Sequence, residues 1–432
     1  MTVRTLPKFG IVLAIAFSCY PAAAARPIED ESLAAAIERQ ASSSDVVAAF
    51  YRGRGYRPIW VNENGARPAA AELLRVISHS EADGLRPRRY AVSRILRLLR
   101  GADGDFRQLA QAELRLSHVL VKFARDLHAV PRAERFAFVD PGLAPPVPEP
   151  SVMLGRISDG VKPAALLRMH PFYEGLRAQW VAQRGQGAPR EKLARIRTNM
   201  DRLRALPLDR GHRYVLVDAG SARLWMFEDD RPRGSMRVIV GKPGLQTPTM
   251  AGRISHVMFN PYWNVPPDLV RDRVAVKTIN GGMDYVNHGN FQILSDWTPE
   301  AQELDPAKLD WHGIAAGDIE TPRVRQRPGP DNMMGTVKFM LPNPLGIYLH
   351  DTPDKALFAQ DDRRQSSGCV RLEHPALLSR WLLGRAPPRA DPRRSEKRID
   401  LAEPVPVYVV YLTALPGPAG LVLLPDAYGR DE

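Results

Sequence analysis

Cysteine is nearly absent: Cys19 and Cys369 are the only two in 432 residues. No H-E-x-x-H motif and no clustered Cys/His set occurs, which argues against a zinc site; no metal and no cofactor is expected. A Walker A loop and a strand-linked Gly-x-Gly-x-x-Gly are also missing, so nucleotide binding has no support. There is no G-x-S-x-G nucleophile elbow. Internal repeats and low-complexity tracts are absent. Long apolar runs are absent too: the longest candidate, Ile11 to Cys19, is about half the ~20 residues of a membrane span.

That short run is informative where it stands. Arg4 and Lys8 precede it, and Pro21 and Ala22 to Ala25 follow it. A basic start, a short apolar core and small residues describe an export signal over residues 1–25. An uncleaved anchor and a lipoprotein attached through Cys19 are the weaker readings. Cleavage near Ala24 or Ala25 would leave Cys369 as the single thiol of an exported chain. It would then be a reactive group, an intermolecular partner or an inert buried side chain. The formal charge of +12 loses only two units with the leader. The remaining excess suits an anionic envelope partner, or reflects an arginine-rich composition. Nucleic acid fits the charge but not the export signal. The 39 prolines exceed the ~5% of an average chain and predict long ordered loops.

Residues 30–200 read as helical. In AELRLSHVLVKFARDL, Ala112, Leu116, Val119, Leu120, Phe123, Ala124 and Leu127 fall on one helix face. DPGLAPPVPEP (140–150) predicts an extended connector, and RGQGAPRE (184–191) a flexible joint. From about residue 213 the period shortens: RYVLVDAGSARLWMFEDD reads as strand, Gly-Ser turn, strand. Further short strand candidates follow, and VPVYVVYLTAL-PGPAG-LVLLP closes the chain as a hairpin. Helices first and strands second predict an α+β protein, with a mostly helical N-terminal domain and a mainly β C-terminal domain.

The chemistry gathers around Cys369, in QSSGCVRLEHP. A cysteine nucleophile needs a base and donors for the oxyanion that follows attack. Gly368 lets the backbone approach a substrate, and the Gly368 and Cys369 N–H groups are candidate donors, with Ser367 beside them. GIYLHDTP ends a predicted strand, where alternation puts Tyr348 and His350 on one face. Arg363 and Arg371 flank the thiol and suit a carboxylate. His374 lies nearer in sequence than His350 and opens a predicted helix, so spacing alone leaves it as an alternative base.

IYLHDTP…RRQSSGCVRL resembles the catalytic signature of L,D-transpeptidases of the YkuD type, with Ser367 in place of the histidine that usually precedes Gly-Cys. VGKPGLQTP, FNPYWNVP, RQRPGPDNMMGTVKFMLPNP, FYRGRGYRPIW, EADGLRPRRY and HPFYEGLR resemble the long YcbB-type periplasmic branch. The resemblance implies a scaffold domain over 30–200, a catalytic domain over 213–395, and a strand hairpin over 396–432 packing on the body. It implies Cys369 as nucleophile, His350 as base and acid oriented by a backbone carbonyl, and a lid-like loop over residues 271–311. Peptidoglycan stem peptides are then the substrate, carbapenems the expected inhibitors, and the periplasm of a Gram-negative-type cell the location. The branch often inserts a peptidoglycan-binding domain; here 184–191 is too short to be one. No protein partner is identified. A cysteine peptidase or L,D-carboxypeptidase, and a non-catalytic wall-binding scaffold, are the rival functions.

Overall fold

The computed structural model describes residues 32–41, 45–101, 104–129, 136–145, 149–388 and 395–431. The expected leader and Cys19 lie outside them. Among the described residues no helix is long and apolar enough to cross a membrane.

The N-terminal half is organised by the helix Phe106–Leu127. Asp105 caps it, its carboxylate accepting from the Arg107 and Gln108 N–H groups. The stripe read from the sequence is its buried face, with Val119 only partly covered. A single carboxylate joins this helix to the FYRGRGYRPIW segment. Glu113 is fully buried and accepts from the Tyr51 hydroxyl at 2.5 Å, the Ile59 N–H at 2.6 Å and the Trp60 and Val61 N–H groups at 2.9 Å. One helix turn on, Ser117 accepts from the Trp60 indole at 2.8 Å. Burial raises the pKa of Glu113, while these donors favour its charged form.

Two predicted connectors are more ordered than their composition suggests. Residues 184–191 contain a tight turn, not a flexible joint. Gly187 adopts φ +73°, and the Ala188 N–H bonds the Gln183 carbonyl at 2.9 Å. The helices Pro171–Gly185 and Arg190–Leu203 thereby fold back on each other. Within 140–150, Asp140 caps a short 3₁₀ turn and the helix Pro150–Ser158 begins.

The C-terminal half builds a ten-stranded sheet, in which Ala137–Phe138 of the N-terminal half supplies one strand beside Met250–Phe259 and Arg364–Ser366 a short one beside Arg231–Gly241. Its path runs through Val337–Met340, Leu349–His350, Val370–Leu372, Arg231–Gly241, Arg223–Glu228, Arg213–Asp218, Lys397–Val410 and Met250–Phe259. Met250–Phe259 also pairs with Val337–Met340, so the sheet closes into a barrel. Alternate residues fill its interior, among them Val215, Val217, Val238, Val257, Phe339, Leu349, Val370 and Val407. On one side the outward residues Tyr214, Leu216, Phe227 and Tyr408 join the core of the helical domain. The two halves are thus packed as one body.

This topology corrects two expectations. The segment 396–432 is not a peripheral hairpin. Lys397–Val410 is a barrel strand, parallel to Arg213–Asp218 and antiparallel to Met250–Phe259. Only Ala414–Gly417 and Gly420–Leu423 form a hairpin, which packs on the helix Pro171–Gly185. The apolar alternation of VPVYVVY was visible in the sequence, but its partners lie far away along the chain. The second correction concerns 271–311, which belong to a folded insert and not to a simple loop. Strands Trp263–Asn264, Phe291–Leu294 and Arg323–Gln326 pair, and short helices cover them around Val270, Val274, Ile293, Trp311 and Val324.

Glu113→Ala strands three buried backbone N–H groups without their acceptor. A loss of about 3 kcal/mol or more is expected, read as a lower thermal midpoint with the same folded-state circular dichroism. An unchanged midpoint would show that the carboxylate does not hold the helical domain together.

Candidate active site

Leu349–His350 runs parallel to Val370–Leu372, with Leu349 opposite Val370 and His350 opposite Arg371. The Val370 N–H bonds the Tyr348 carbonyl at 2.9 Å, which extends the register by one residue and sets Cys369 beside Tyr348. Leu349 and Val370 are fully buried in the barrel. By alternation Tyr348, His350, Cys369 and Arg371 therefore occupy the opposite face together. On the other flank Lys338 stands in register with His350. The sheet thus gathers a thiol, an imidazole, a phenol and two cations on one surface.

The imidazole is oriented by main chain. His350 Nδ1 lies 2.5 Å from the Asp351 carbonyl. A carbonyl only accepts, so Nδ1 carries the proton and Nε2 is left as the acceptor. Burial, then the charge of Arg371, pushes the imidazole pKa down to about 3. That direction favours the neutral ring, with its Nε2 lone pair free of a proton. The Asp351 carboxylate is occupied elsewhere. It accepts from the Thr336 N–H at 2.8 Å and hydroxyl at 2.7 Å, and pairs with Lys355. Burial acts to raise its pKa, but these partners outweigh it and hold the carboxyl below its usual range. Gly335, at φ +60°, leaves the room that carboxylate fills; a Cβ there would sit 2.5 Å from Asp351 Cγ.

Cys369 is half-buried, and its Sγ lies 3.5 Å from the Gly346 carbonyl. Burial raises the thiol pKa, while the Tyr348 backbone, Lys338 and Arg371 pull it down. Burial thus favours the neutral form of both the thiol and the imidazole that share this face.

The loop before the thiol is set by residues that sequence reasoning passed over. Gly368 adopts φ +110°, which L side chains rarely take. Its N–H donates to Ser366 Oγ at 3.1 Å, and that hydroxyl donates to the Cys369 carbonyl at 2.6 Å. Ser366, not the exposed Ser367, organises the turn. With the Gly368 N–H engaged inside the loop, the Cys369 N–H is the better oxyanion donor of the two expected. Thr247, in the VGKPGLQTP stretch, accepts from the Gly241 N–H and donates to the Gly368 carbonyl, both at 2.8 Å. Tyr428 braces the same loop, donating to the Gly241 carbonyl at 2.5 Å.

The other expected residues divide. Tyr348 is half-buried, with the Lys338 ammonium 3.7 Å from its ring centroid. Arg371 lies in the row with His350. Burial lowers its pKa, and Arg273 of the insert, a like charge, lowers it further. Arg363 is not brought to the thiol. It donates to the carbonyls of Gln360 at 3.0 Å and Ser221 at 3.3 Å, tying its loop to the first barrel turn. His374 is exposed at the start of the helix Pro375–Leu383, 3.6 Å from Glu373.

A neutral thiol gives a testable pH profile. Alkylation of Cys369 by iodoacetamide should climb steadily from about pH 6 to about pH 10 as thiolate forms. A plateau already reached below neutrality would reveal a resting thiolate–imidazolium pair instead. Thr247→Val removes both loop bonds without changing the side chain's size; carbapenem acylation of Cys369 should slow by about 10- to 100-fold in a protein that stays folded. An unchanged rate would take Thr247 out of the loop's support.

Comparison with known proteins fits this geometry. A family model described as the L,D-transpeptidase catalytic domain, YkuD, matches residues 212–407, and a Scaffold domain model matches residues 45–179. A Haemophilus influenzae protein whose name assigns it to the L,D-transpeptidases is 35% identical over 246 residues, covering 55% of this chain and 48% of that protein. The chain therefore spans about half the length of this curated relative. Among solved structures, an L,D-transpeptidase from Mycobacterium smegmatis is 13% identical, covering 46% of this chain and 58% of that one with a TM-score of 0.23. L,D-transpeptidase 3 from Mycobacterium tuberculosis, in complex with a faropenem-derived adduct, is also 13% identical, covering 46% and 60% with a TM-score of 0.21. One polypeptide thus carries a match to the YkuD L,D-transpeptidase catalytic domain preceded, on its N-terminal side, by a match to the Scaffold domain.

Proposed function

We propose that this protein is an exported peptidoglycan L,D-transpeptidase, acting in the periplasm with Cys369 as its nucleophile. The observation that carries the reading is the tautomer of His350. Its Nδ1–H is committed to the Asp351 carbonyl, which leaves Nε2 as an unprotonated acceptor on the sheet face that also carries the thiol.

The steps follow from these groups. Nε2 of His350 takes the thiol proton as Cys369 Sγ attacks the carbonyl of the third residue of a tetrapeptide stem. The oxyanion forms against the Cys369 N–H, with the Tyr348 hydroxyl as a second candidate donor. Collapse breaks the L,D peptide bond, and the imidazolium protonates the departing D-alanine amine. A thioester remains. An amine of a second stem attacks it, loses its proton to His350, and releases the cross-linked product and the thiol. Water in place of the amine gives carboxypeptidase activity. Carbapenems acylate the same sulfur.

The test is incubation of purified protein with disaccharide-tetrapeptide, followed by mass spectrometry. Cross-linked dimer is expected; tripeptide without dimer would make the protein a hydrolase. Cys369→Ala should abolish the carbapenem adduct, and His350→Ala should slow its formation by about 10²- to 10⁴-fold. His374→Ala should leave it unchanged. A deleterious His374→Ala with a harmless His350→Ala would overturn the assignment of the base.

A further inference from the structure

Lys338 has no place in the reaction as written, yet the sheet puts it beside the reacting groups. It stands directly opposite His350 in the antiparallel pair Val337–Met340 with Leu349–His350. His350 is in turn opposite Arg371. Three strands thus lay lysine, imidazole and guanidinium side by side in one row. Cys369 and Tyr348 occupy the next row on the same face. The Lys338 ammonium is turned onto a neighbouring ring. It lies over the Tyr348 ring, 3.7 Å from the centroid, and the side chain is only partly exposed. Among the described residues no carboxylate lies within ion-pair distance of it. A partly desolvated cation held on an aromatic face, with no carboxylate in direct contact and only the charge of Glu396 acting from farther off, gains from a negative charge that appears nearby. The thiolate formed during attack is such a charge.

We propose that Lys338 is a positioning residue for the nucleophile: its ammonium, seated on the Tyr348 ring, stabilises the Cys369 thiolate as His350 removes the proton. The inference rests on the reading of Cys369 as nucleophile. No proton passes through the lysine. The thiol proton goes to His350 Nε2, the ammonium keeps its three hydrogens, and the electron pair stays on sulfur until it attacks. Electrostatics agrees in direction. Burial lowers the lysine pKa while the Cys369 charge raises it, and the Lys338 charge acts in turn to lower that of the thiol. The other groups facing the thiol are Arg371 on its own strand, and Tyr348 and His350 on the neighbouring one. Farther out stand Arg273 of the insert, Asp354, Glu396 and the Asp351–Lys355 pair. Of the two nearby cations, Arg371 has both Arg273 of the insert and Asp354 acting on it, whereas Lys338 has the ring, the sulfur and the charge of Glu396. The lysine is therefore the one whose removal the thiol should register most cleanly.

The experiment is the pH dependence of Cys369 alkylation by iodoacetamide in the full chain, read by mass spectrometry of the Cys369 peptide and without any wall substrate. In Lys338→Met the midpoint should move to higher pH, and the rate at neutral pH should fall about three- to tenfold, the larger figure being one pKa unit of thiolate fraction. Lys338→Arg should keep the parent profile. A folded Lys338→Met with the parent's midpoint overturns the proposal. If that variant does not fold, Lys338→Gln, which keeps a polar tip on the ring, gives the same reading against the same criterion. Because alkylation needs no stem peptide, failure here is distinct from failure of the transpeptidase reading. Absent cross-linking with a shifted midpoint would sink the latter and leave the former standing.

Discussion

The site depends on one short parallel pairing, Leu349 with Val370 and His350 with Arg371. Cys369 lies just before its strand and has no regular structure of its own to hold it. Its position is inherited from Val370, whose N–H is bonded to the Tyr348 carbonyl. A slip of one residue would send Cys369 into the barrel interior and bring Val370 to the surface. The apolar contacts of Leu349, Val370 and Leu372 oppose such a slip, so the packing of the barrel is what aims the sulfur.

Around that pairing the protein satisfies its polar groups with main chain wherever chemistry needs a fixed orientation. The His350 imidazole is held by a carbonyl, and the Asp351 carboxylate is engaged by Thr336 and Lys355. A carbonyl cannot titrate, so the tautomer of His350 is insensitive to pH in a way that a carboxylate partner would not ensure. The thiol loop is fastened to Thr247, and Thr247 to the strand that ends at Gly241. Charge is concentrated where Lys338 and Arg371 flank His350 on the face that carries Cys369.

Much of this was legible in the sequence, and the limit has a physical form. Tyr348 and His350 could be placed on one face because strand alternation is local. Cys369 stood out because Ser-Ser-Gly is poor core sequence. Lys338 could not be found, since its nearness to His350 comes from register between strands and no local pattern encodes it. Thr247 and Tyr428 were hidden for the same reason. Arg363 illustrates the opposite error: it is close to the thiol along the chain, but the turn carries its guanidinium to Ser221. The helical half was easier, as in the buried stripe of Phe106–Leu127, yet nothing local marks Glu113 as the acceptor for residues more than fifty positions away.

The barrel strand Lys397–Val410 joins Arg213–Asp218 to Met250–Phe259. Both neighbours leave the ribosome long before it does. Until it arrives they face each other across an open gap, and the cylinder cannot shut. Closure of the cylinder must therefore wait for this late strand, a non-local step of the kind that slows folding.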